Sequence, residues 1–272
     1  MDDVKNKIGD IAKKTRRKLS DIRKRYIIRL VLRVIILISS ILIIIFDKEQ
    51  TKILSGWNFF SKFSPFHILW GVWIFDMLCQ LLPIRKTIAL GSQKIFKGRF
   101  KPIKDIINYK ALHDYIVKTT KSAYMVFIIW IAFIAVISVL RAFNIINDTV
   151  LFIITLTFYV CDLICVLIWC PFRLIMKNKC CTTCRIFNWD HLMMFTPMLL
   201  VKGFFSISLI IMSVGVWMLW EIVVIKYPER FWEVSNETLR CSNCTDKLCT
   251  QYCRKLRPER KVKNKDNENP PA

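Results

Sequence analysis

Residues 27–46 read IIRLVLRVIILISSILIIIF, in which Arg29 and Arg33 are the only charged residues. About 20 consecutive apolar residues are what an α-helix needs to cross the hydrocarbon core of a bilayer. The stretch therefore predicts a transmembrane helix. Both arginines lie in its first turns, where long basic side chains extend toward the head groups, so we interpret them as anchors at the cytoplasmic edge.

Further apolar blocks of this kind follow along the chain. They lie at about residues 66–83, 123–141, 147–169 and 203–225. A soluble domain would break such blocks with polar faces at helical or strand spacing. With 54% hydrophobic residues in 272, the sequence predicts an all-α integral membrane protein with about five transmembrane helices.

The first 26 residues predict an amphipathic helix that lies at the membrane interface. At 100° per residue, one narrow arc contains its apolar side chains, which are Val4, Ile8, Ile11, Leu19, Ile22 and Tyr26. Lysines and arginines occupy the other faces, as in helices that press an apolar stripe into the head-group boundary. A coiled-coil or partner-binding helix is the alternative for the same pattern.

The net charge of +22 is concentrated outside the apolar blocks. The N-terminal tail and the basic loop 84–122 carry ten Lys or Arg each, against three in residues 47–65 and none in 142–149. We expect the protein in the plasma or inner membrane of the cell. The positive-inside rule then places its N-terminus in the cytoplasm. Five spans would put the basic, cysteine-containing tail 226–272 outside.

A net charge this positive predicts binding either to anionic lipid or to nucleic acid. Basic segments that flank apolar spans favour the bilayer and its anionic lipid head groups. The sequence contains no groove-reading helix, RNA-binding signature or zinc finger of familiar spacing, so we expect no nucleic acid. It names no protein partner.

The loop 170–192 contains the first cysteine cluster. Cys180, Cys181 and Cys184 form a Cys-Cys-x-x-Cys group, with Cys170 before it and His191 behind it. Two thiolates separated by two residues can bind one tetrahedral metal ion, and nearby basic residues favour the thiolate form. These five residues are the candidate metal ligands, for zinc or an iron–sulfur cluster. Redox exchange or a disulfide, and surface thiols without a ligand, are the alternatives.

The tail contains a second cluster, Cys241, Cys244, Cys249 and Cys253. Its spacing, Cys-x2-Cys-x4-Cys-x3-Cys, is close to an iron–sulfur run but has two extra residues and lacks the final proline. Zinc bound by four thiolates is equally compatible. If the tail lies outside the cell, two disulfides become the leading alternative.

Several polar side chains fall within the apolar blocks or at their edges. Asp76, Gln80, Asp162 and Lys202 are the candidates, because an ionised group in lipid is costly unless it is paired or hydrated. Both acids fall in the cytoplasmic half of the bundle, where their candidate partners are each other, the arginines of the first span and Lys202. They predict either a proton or ion path or a buried interhelical hydrogen-bond pair.

The preferred functional hypothesis is metal or iron–sulfur binding in redox chemistry or metal handling. An ion or small-solute transporter that uses Asp76 and Asp162 is one alternative, and a structural membrane scaffold is another. The sequence contains no hydrolase triad, Walker loop, His-Glu-x-x-His motif or kinase signature, which argues against a conventional hydrolase or transferase.

Overall fold

A computed structural model describes residues 20–84, 88–103, 108–178, 180–244, 246 and 248. This part of the chain is helical with short 3₁₀ turns and contains no β-strand, so the all-α prediction is confirmed. The helices are α1 (Asp21–Phe46), α2 (Pro65–Gln80), α3 (Leu90–Gln93), α4 (Tyr109–Ala142), α5 (Asp148–Leu167), α6 (Phe172–Met176), α7 (Asp190–Phe195) and α8 (Phe204–Lys226). Most of the predicted amphipathic helix, residues 1–19, lies outside the described residues.

Four helices, α1, α4, α5 and α8, are long and apolar enough to cross a membrane. Their outward faces are apolar too: Ile28, Leu32 and Ile35 of α1 are each more than half exposed. Large exposed apolar surfaces suit contact with lipid, and the protein is accordingly a helical membrane protein. Helix α2, at the predicted span 66–83, has 16 residues. It measures about 24 Å, less than the roughly 30 Å hydrocarbon core.

Polar residues immediately before the helices explain where these helices begin. The side chains of Ser20, Asn108 and Asn147 each accept a hydrogen bond from a backbone N–H three residues further on. Ser64 and His67 form a reciprocal capping box at the start of α2. Such caps satisfy N–H groups that have no partner within the helix.

The centre of the bundle is an aromatic core around Trp73 of α2. This side chain is fully buried, and its ring lies 5.1 Å from that of Phe195 and 5.7 Å from that of Tyr159, centroid to centroid. Edge-to-face contacts of this kind stabilise aromatic pairs beyond the burial of area.

Helix α7 and the 3₁₀ turn Thr196–Leu200 pass through the interior of the bundle. His191, Phe195 and Met198 are at most 2% exposed. The indole Nε1 of Trp130, on α4, donates a hydrogen bond to Thr196 Oγ1 at 3.2 Å. Most of this segment therefore packs against other helices, while Leu199 is exposed.

One end of the bundle, which we call the terminal end, contains the start of α1, residues 88–103 and the described residues after α8. Ser20 Oγ donates a hydrogen bond to the carbonyl of Asp246, and Asp246 Oδ2 accepts one from Leu90 N at 2.6 Å. Further along, the backbone of Pro102 pairs with that of Asn236. The described part of the tail thus lies at the same end of the bundle as the start of α1.

The opposite end, which we call the loop end, joins residues 47–64 to the start of α8. Gly56 N donates to Lys202 O at 2.8 Å, and Phe204 N donates to Gly56 O at 3.0 Å. A Cβ atom on Gly203 would lie 2.3 Å from the carbonyl oxygen of Leu54, so only glycine permits this approach. The chain thus traverses the whole bundle between the cysteine loop and Gly203.

Candidate functional site

A cavity of about 250 Å³ near the terminal end is lined by five cysteines. They are Cys161, Cys165, Cys170, Cys181 and Cys184. The rest of its wall is largely apolar and includes four aromatic rings and two methionines, which are Trp130, Phe158, Phe172, Phe187, Met193 and Met194. We call this space the thiol cavity.

Three chain segments bring these sulfurs together. Cys161 and Cys165 are four residues apart near the end of α5, so they project from the same face of that helix. Cys170 follows the end of α5, and the turn Cys181–Thr183 supplies the remaining two cysteines at its start and just after its end.

The loop that carries Cys181 and Cys184 is fixed to α8 by a buried ion pair. The Arg185 guanidinium donates two hydrogen bonds to the Glu221 carboxylate, one of them 2.7 Å long. Trp189 Nε1 also donates to Glu221, at 2.8 Å, and Trp220 Nε1 donates to the Arg185 carbonyl at 2.8 Å. Since the arginine side chain is only 6% exposed, these bonds hold the loop in one position.

Lys94, on the connector before α4, is fully buried behind the same loop. Its ammonium donates to the carbonyl of Thr182 at 3.0 Å and to that of Cys184 at 2.7 Å. It also lies 5.2 Å from the ring centroids of Trp220 and Phe231. Burial lowers the pKa of Lys94 to about 7, although nearby cysteine sulfurs favour its charged form.

The cysteines of the loop region differ in their acidity. The Cys165 thiol donates a hydrogen bond to the Cys170 sulfur, which also accepts from the backbone N–H groups of Phe172 and Arg173. These bonds, chiefly the first, lower the pKa of Cys170 to about 7 against the effect of burial. Burial raises the pKa of Cys184, and the Lys94 ammonium opposes that rise.

A buried polar network lies beside the thiol cavity. Its centre is Arg33 of α1, which is 6% exposed and donates to Asp162 Oδ2 at 2.6 Å and to the Tyr159 carbonyl at 2.7 Å. A third hydrogen bond reaches Asp76 Oδ2 at 3.2 Å. The interpretation of Arg33 as an interfacial anchor is therefore wrong, because its charge is paired inside the bundle.

Asp190 extends this network toward the cysteine loop. Gln80 Nε2 donates to Asp190 Oδ2 at 3.0 Å, and His191 Nδ1 lies 3.3 Å from Asp190 Oδ1. A small polar cavity of about 40 Å³ is lined by Arg33 and by three carboxylates, those of Asp76, Asp162 and Asp190. Asp162 and Asp190 line this cavity and the thiol cavity alike, so the two spaces adjoin.

The structure groups only some of the predicted site residues. Cys170, Cys181 and Cys184 line one cavity, whereas Cys180 and His191 do not line it. Asp76, Gln80 and Asp162 belong to the polar network. Lys202 lies apart, exposed at the loop end.

The tail cysteines form no part of the thiol cavity as far as it is described. Cys241 and Cys244 lie in and after a 3₁₀ turn at the terminal end, while Cys249 and Cys253 fall outside the described residues. Cys161 and Cys165 are the cavity cysteines that the prediction of ligands missed. Their four-residue spacing, one turn before Cys170, was the available signal.

Among the residues that the structure describes, no three His, Cys, Asp or Glu side chains converge where a single metal ion could bind. Comparison of the chain with protein-family models, with curated proteins and with solved structures gives no match. Functional inference therefore depends on the geometry of the site itself.

Proposed function

We propose that the protein is a redox protein of the cell membrane and that the cysteines of the thiol cavity are its active groups. The observation that carries this proposal is the convergence of five cysteines from three chain segments on one cavity. Buried structural cysteines need no such grouping, because each can pack separately as a small apolar residue.

The contact between Cys165 and Cys170 supports the proposal most directly. Redox exchange at sulfur requires a thiolate with a second sulfur within reach. Cys170 accepts a hydrogen bond from the Cys165 thiol, and its lowered pKa favours the thiolate near neutral pH. Because the wall of the cavity is mainly apolar, a thiolate there is stabilised by individual hydrogen bonds and opposite charges rather than by bulk water.

The proposed location places this chemistry in the cytoplasmic half of the membrane. In our proposal the chain crosses six times, with α2 and the segment from α7 to residue 200 as additional interior crossings. The terminal end, which contains residues 88–103 of the basic loop, then faces the cytoplasm by the positive-inside rule. Cytoplasmic thiols are kept reduced, which disfavours permanent disulfides and leaves the cysteines available.

The transporter hypothesis receives less support from the arrangement of Asp76 and Asp162. Both carboxylates contact the same buried guanidinium, and the adjoining polar cavity of about 40 Å³ has room for only a few water molecules. This favours an interhelical ion pair. Proteoliposomes with Asp76→Asn or Asp162→Asn test the point: we expect no ion flux that depends on either acid.

The redox proposal is tested by potentiometric titration of the purified protein in detergent under argon. Absorbance and the number of maleimide-reactive thiols are followed together. We expect a reversible transition that disappears in Cys165→Ser and Cys170→Ser. Cys79→Ser is the matched control, since this cysteine lies on α2 and does not line the cavity. A wild-type protein without any reversible transition would refute the proposal.

A further inference from the structure

We infer that the thiol cavity binds a lipid-soluble quinone and that Cys165 and Cys170 together transfer electrons to it. The inference rests on the proposed redox function and names the electron acceptor of the same site. In the reaction each thiol loses one proton and one electron, and a disulfide bond forms between the two sulfurs. The quinone gains both electrons and takes up both protons at its carbonyl oxygens, which gives a hydroquinone. Quinones of the membrane are established acceptors for electrons from protein thiols.

The two sulfurs of this pair are in contact. The Cys165 thiol donates a hydrogen bond to the Cys170 sulfur, which also accepts from the backbone N–H groups of Phe172 and Arg173. The contact places the second sulfur where a disulfide can form without a large movement of the chain. The backbone donors stabilise a thiolate at Cys170, the form in which sulfur reacts. The geometry therefore favours the loss of two electrons from one pair of cysteines.

A row of aromatic rings leads from the outer surface of the bundle to the cavity. Phe133 of α4 is 45% exposed, and its ring lies 5.6 Å from that of Trp130 and 6.1 Å from that of Phe158, centroid to centroid. The ring of Trp130 lies 6.3 Å from that of Phe172. Trp130, Phe158 and Phe172 line the cavity. Because aromatic side chains stack against flat conjugated rings, this wall suits a quinone.

The opening of the cavity lies along a helix that is able to span the membrane. Cys161 lines the cavity and is exposed on α5, one of the four helices that are long and apolar enough to cross a bilayer. It precedes Leu167, the last residue of α5, by about 9 Å along the helix axis. A ligand that enters beside Cys161 therefore comes from lipid rather than from water, which selects a lipid-soluble electron acceptor.

The size of the cavity agrees with a single substituted ring. An apolar cavity of about 150 Å³ takes up benzene, whereas pockets that enclose a drug-sized molecule measure about 300–1,000 Å³. The thiol cavity, at about 250 Å³, falls between the two. The head group of a quinone fits inside it, and the long apolar tail must then extend into the lipid through the opening beside Cys161.

Hydrogen-bonding groups occupy one side of this otherwise apolar space. Asp190 lines the thiol cavity and the polar cavity. Gln80 Nε2 donates to its Oδ2 at 3.0 Å, and its Oδ1 lies 3.3 Å from His191 Nδ1. A carboxylate held in this way can accept a hydrogen bond from a hydroquinone hydroxyl. A few polar groups in an apolar pocket are what orients a small ligand.

The test uses the full chain in detergent, reduced with dithiothreitol and freed of the reductant under argon. Decylubiquinone is the probe, because its fully substituted ring has no free position for the addition of a thiol. The ultraviolet absorbance of the quinone and the number of maleimide-reactive thiols are followed together, and disulfide-linked peptides are identified by mass spectrometry. We expect the wild type to reduce decylubiquinone and to form a disulfide between Cys165 and Cys170. Reduction should be lost in Cys165→Ser and Cys170→Ser and should match the wild type in Cys79→Ser.

A pair of tryptophan variants tests the opening of the cavity. Cys161→Trp adds bulk at the opening, so the concentration of decylubiquinone that gives the half-maximal rate should rise. Thr157→Trp is the matched control, since Thr157 is exposed on the same helix one turn earlier and does not line the cavity. Its half-maximal concentration should equal that of the wild type. Gel filtration and thermal unfolding show that each variant is folded, and equal values for both variants would overturn the assignment of the quinone to this cavity.

The remaining outcomes separate this inference from the redox proposal. A reversible thiol titration without reduction of decylubiquinone would overturn the quinone and leave the redox function in place. A wild-type disulfide between Cys181 and Cys184, with none between Cys165 and Cys170, would overturn the assignment of the electron donor. A wild-type protein that shows neither quinone reduction nor a reversible transition would overturn both proposals.

Discussion

The guanidinium of Arg33 lies 2.6 Å from the carboxylate of Asp162, although 129 positions separate the two residues in the chain. This ion pair joins α1 to α5 in the interior of the bundle, and Asp76 adds α2 to it at 3.2 Å. Breaking a buried pair on one side leaves a charge without compensation, which costs more than the pair contributes.

We therefore expect Arg33→Met to destabilise the protein by about 3–5 kcal/mol. The free energy of unfolding is measured in mixed detergent–SDS micelles. The control is Arg141→Met, which removes an arginine that pairs with Asp148 but is about one-third exposed. For such a pair we expect a loss of about 1 kcal/mol or less.

A compensating variant separates the charge from the packing. Replacement of the whole triad, as Arg33→Met with Asp76→Leu and Asp162→Leu, removes all three charges of this ion group at once. Stability should return close to that of the wild type, because apolar replacement of a complete buried ion group is often neutral or favourable. Equal losses in the triple and single variants would contradict a charge-based explanation.

Gly203 is a second position at which the structure predicts that a substitution lowers the stability of the protein. Alanine would place its Cβ 2.3 Å from the Leu54 carbonyl oxygen, so backbone must move at the loop end. We expect Gly203→Ala to destabilise by about 1–3 kcal/mol, read as a lower Tm in detergent.

Gly215→Ala is the matched control for this experiment. Gly215 lies within α8, and a Cβ there would meet no atom within 4 Å. Since alanine favours the helix over glycine by up to about 1 kcal/mol, the Tm should stay constant or rise. A decrease of the same size in both variants would show that the close approach at Gly203 is not the cause.

The ion pair between Arg185 and Glu221 should control access to the cysteine loop. Arg185→Gln removes the two charged hydrogen bonds that fix the loop to α8. Because breaking a buried pair costs several kcal/mol and 1.4 kcal/mol corresponds to tenfold, maleimide should label Cys181 and Cys184 at least about tenfold faster. Labelling is quantified by mass spectrometry of peptides.

The exposed Lys177 provides the comparison for that measurement, since Lys177→Gln also removes a positive charge near the loop. Its labelling rates should match those of the wild type. Equal acceleration in both variants would mean that local charge, rather than loop anchoring, governs the reaction.

Membrane topology is tested by labelling with an impermeant maleimide in intact cells. Single-cysteine variants carry Cys244, Asp21→Cys or Trp57→Cys. The first two positions belong to the terminal end, and Trp57, which is 77% exposed, belongs to the loop end. We expect Trp57→Cys to be labelled in intact cells and the other two only after permeabilisation. Labelling of Cys244 but not of Asp21→Cys in intact cells would contradict a shared side.

The described part of the tail lies at the same end of the bundle as the start of α1, and one interior segment that contributes to this arrangement leaves little trace in the sequence. A helix that faces lipid must be about 20 residues long and continuously apolar. The segment from Asp190 to Leu200 is short, contains Pro197 and begins with two ionisable residues. It traverses the bundle interior because neighbouring helices, rather than lipid, satisfy its polar groups.

The candidate site was predicted in part. Cys170, Cys181 and Cys184 are close in sequence, so their grouping follows from a single loop. Lys94 contacts the same loop from about 90 positions away, and no local pattern indicates such a partner.

By itself, the sequence determined that this protein is a helical membrane protein, because the thickness of a bilayer and the rise of a helix set the length of an apolar span. It also determined which residues could act as ligands. Only the tertiary structure decided which of them meet. Charge pairing such as that of Arg33, and the convergence of cysteines on a cavity, depend on how the helices pack, and packing brings together residues that are remote in the chain.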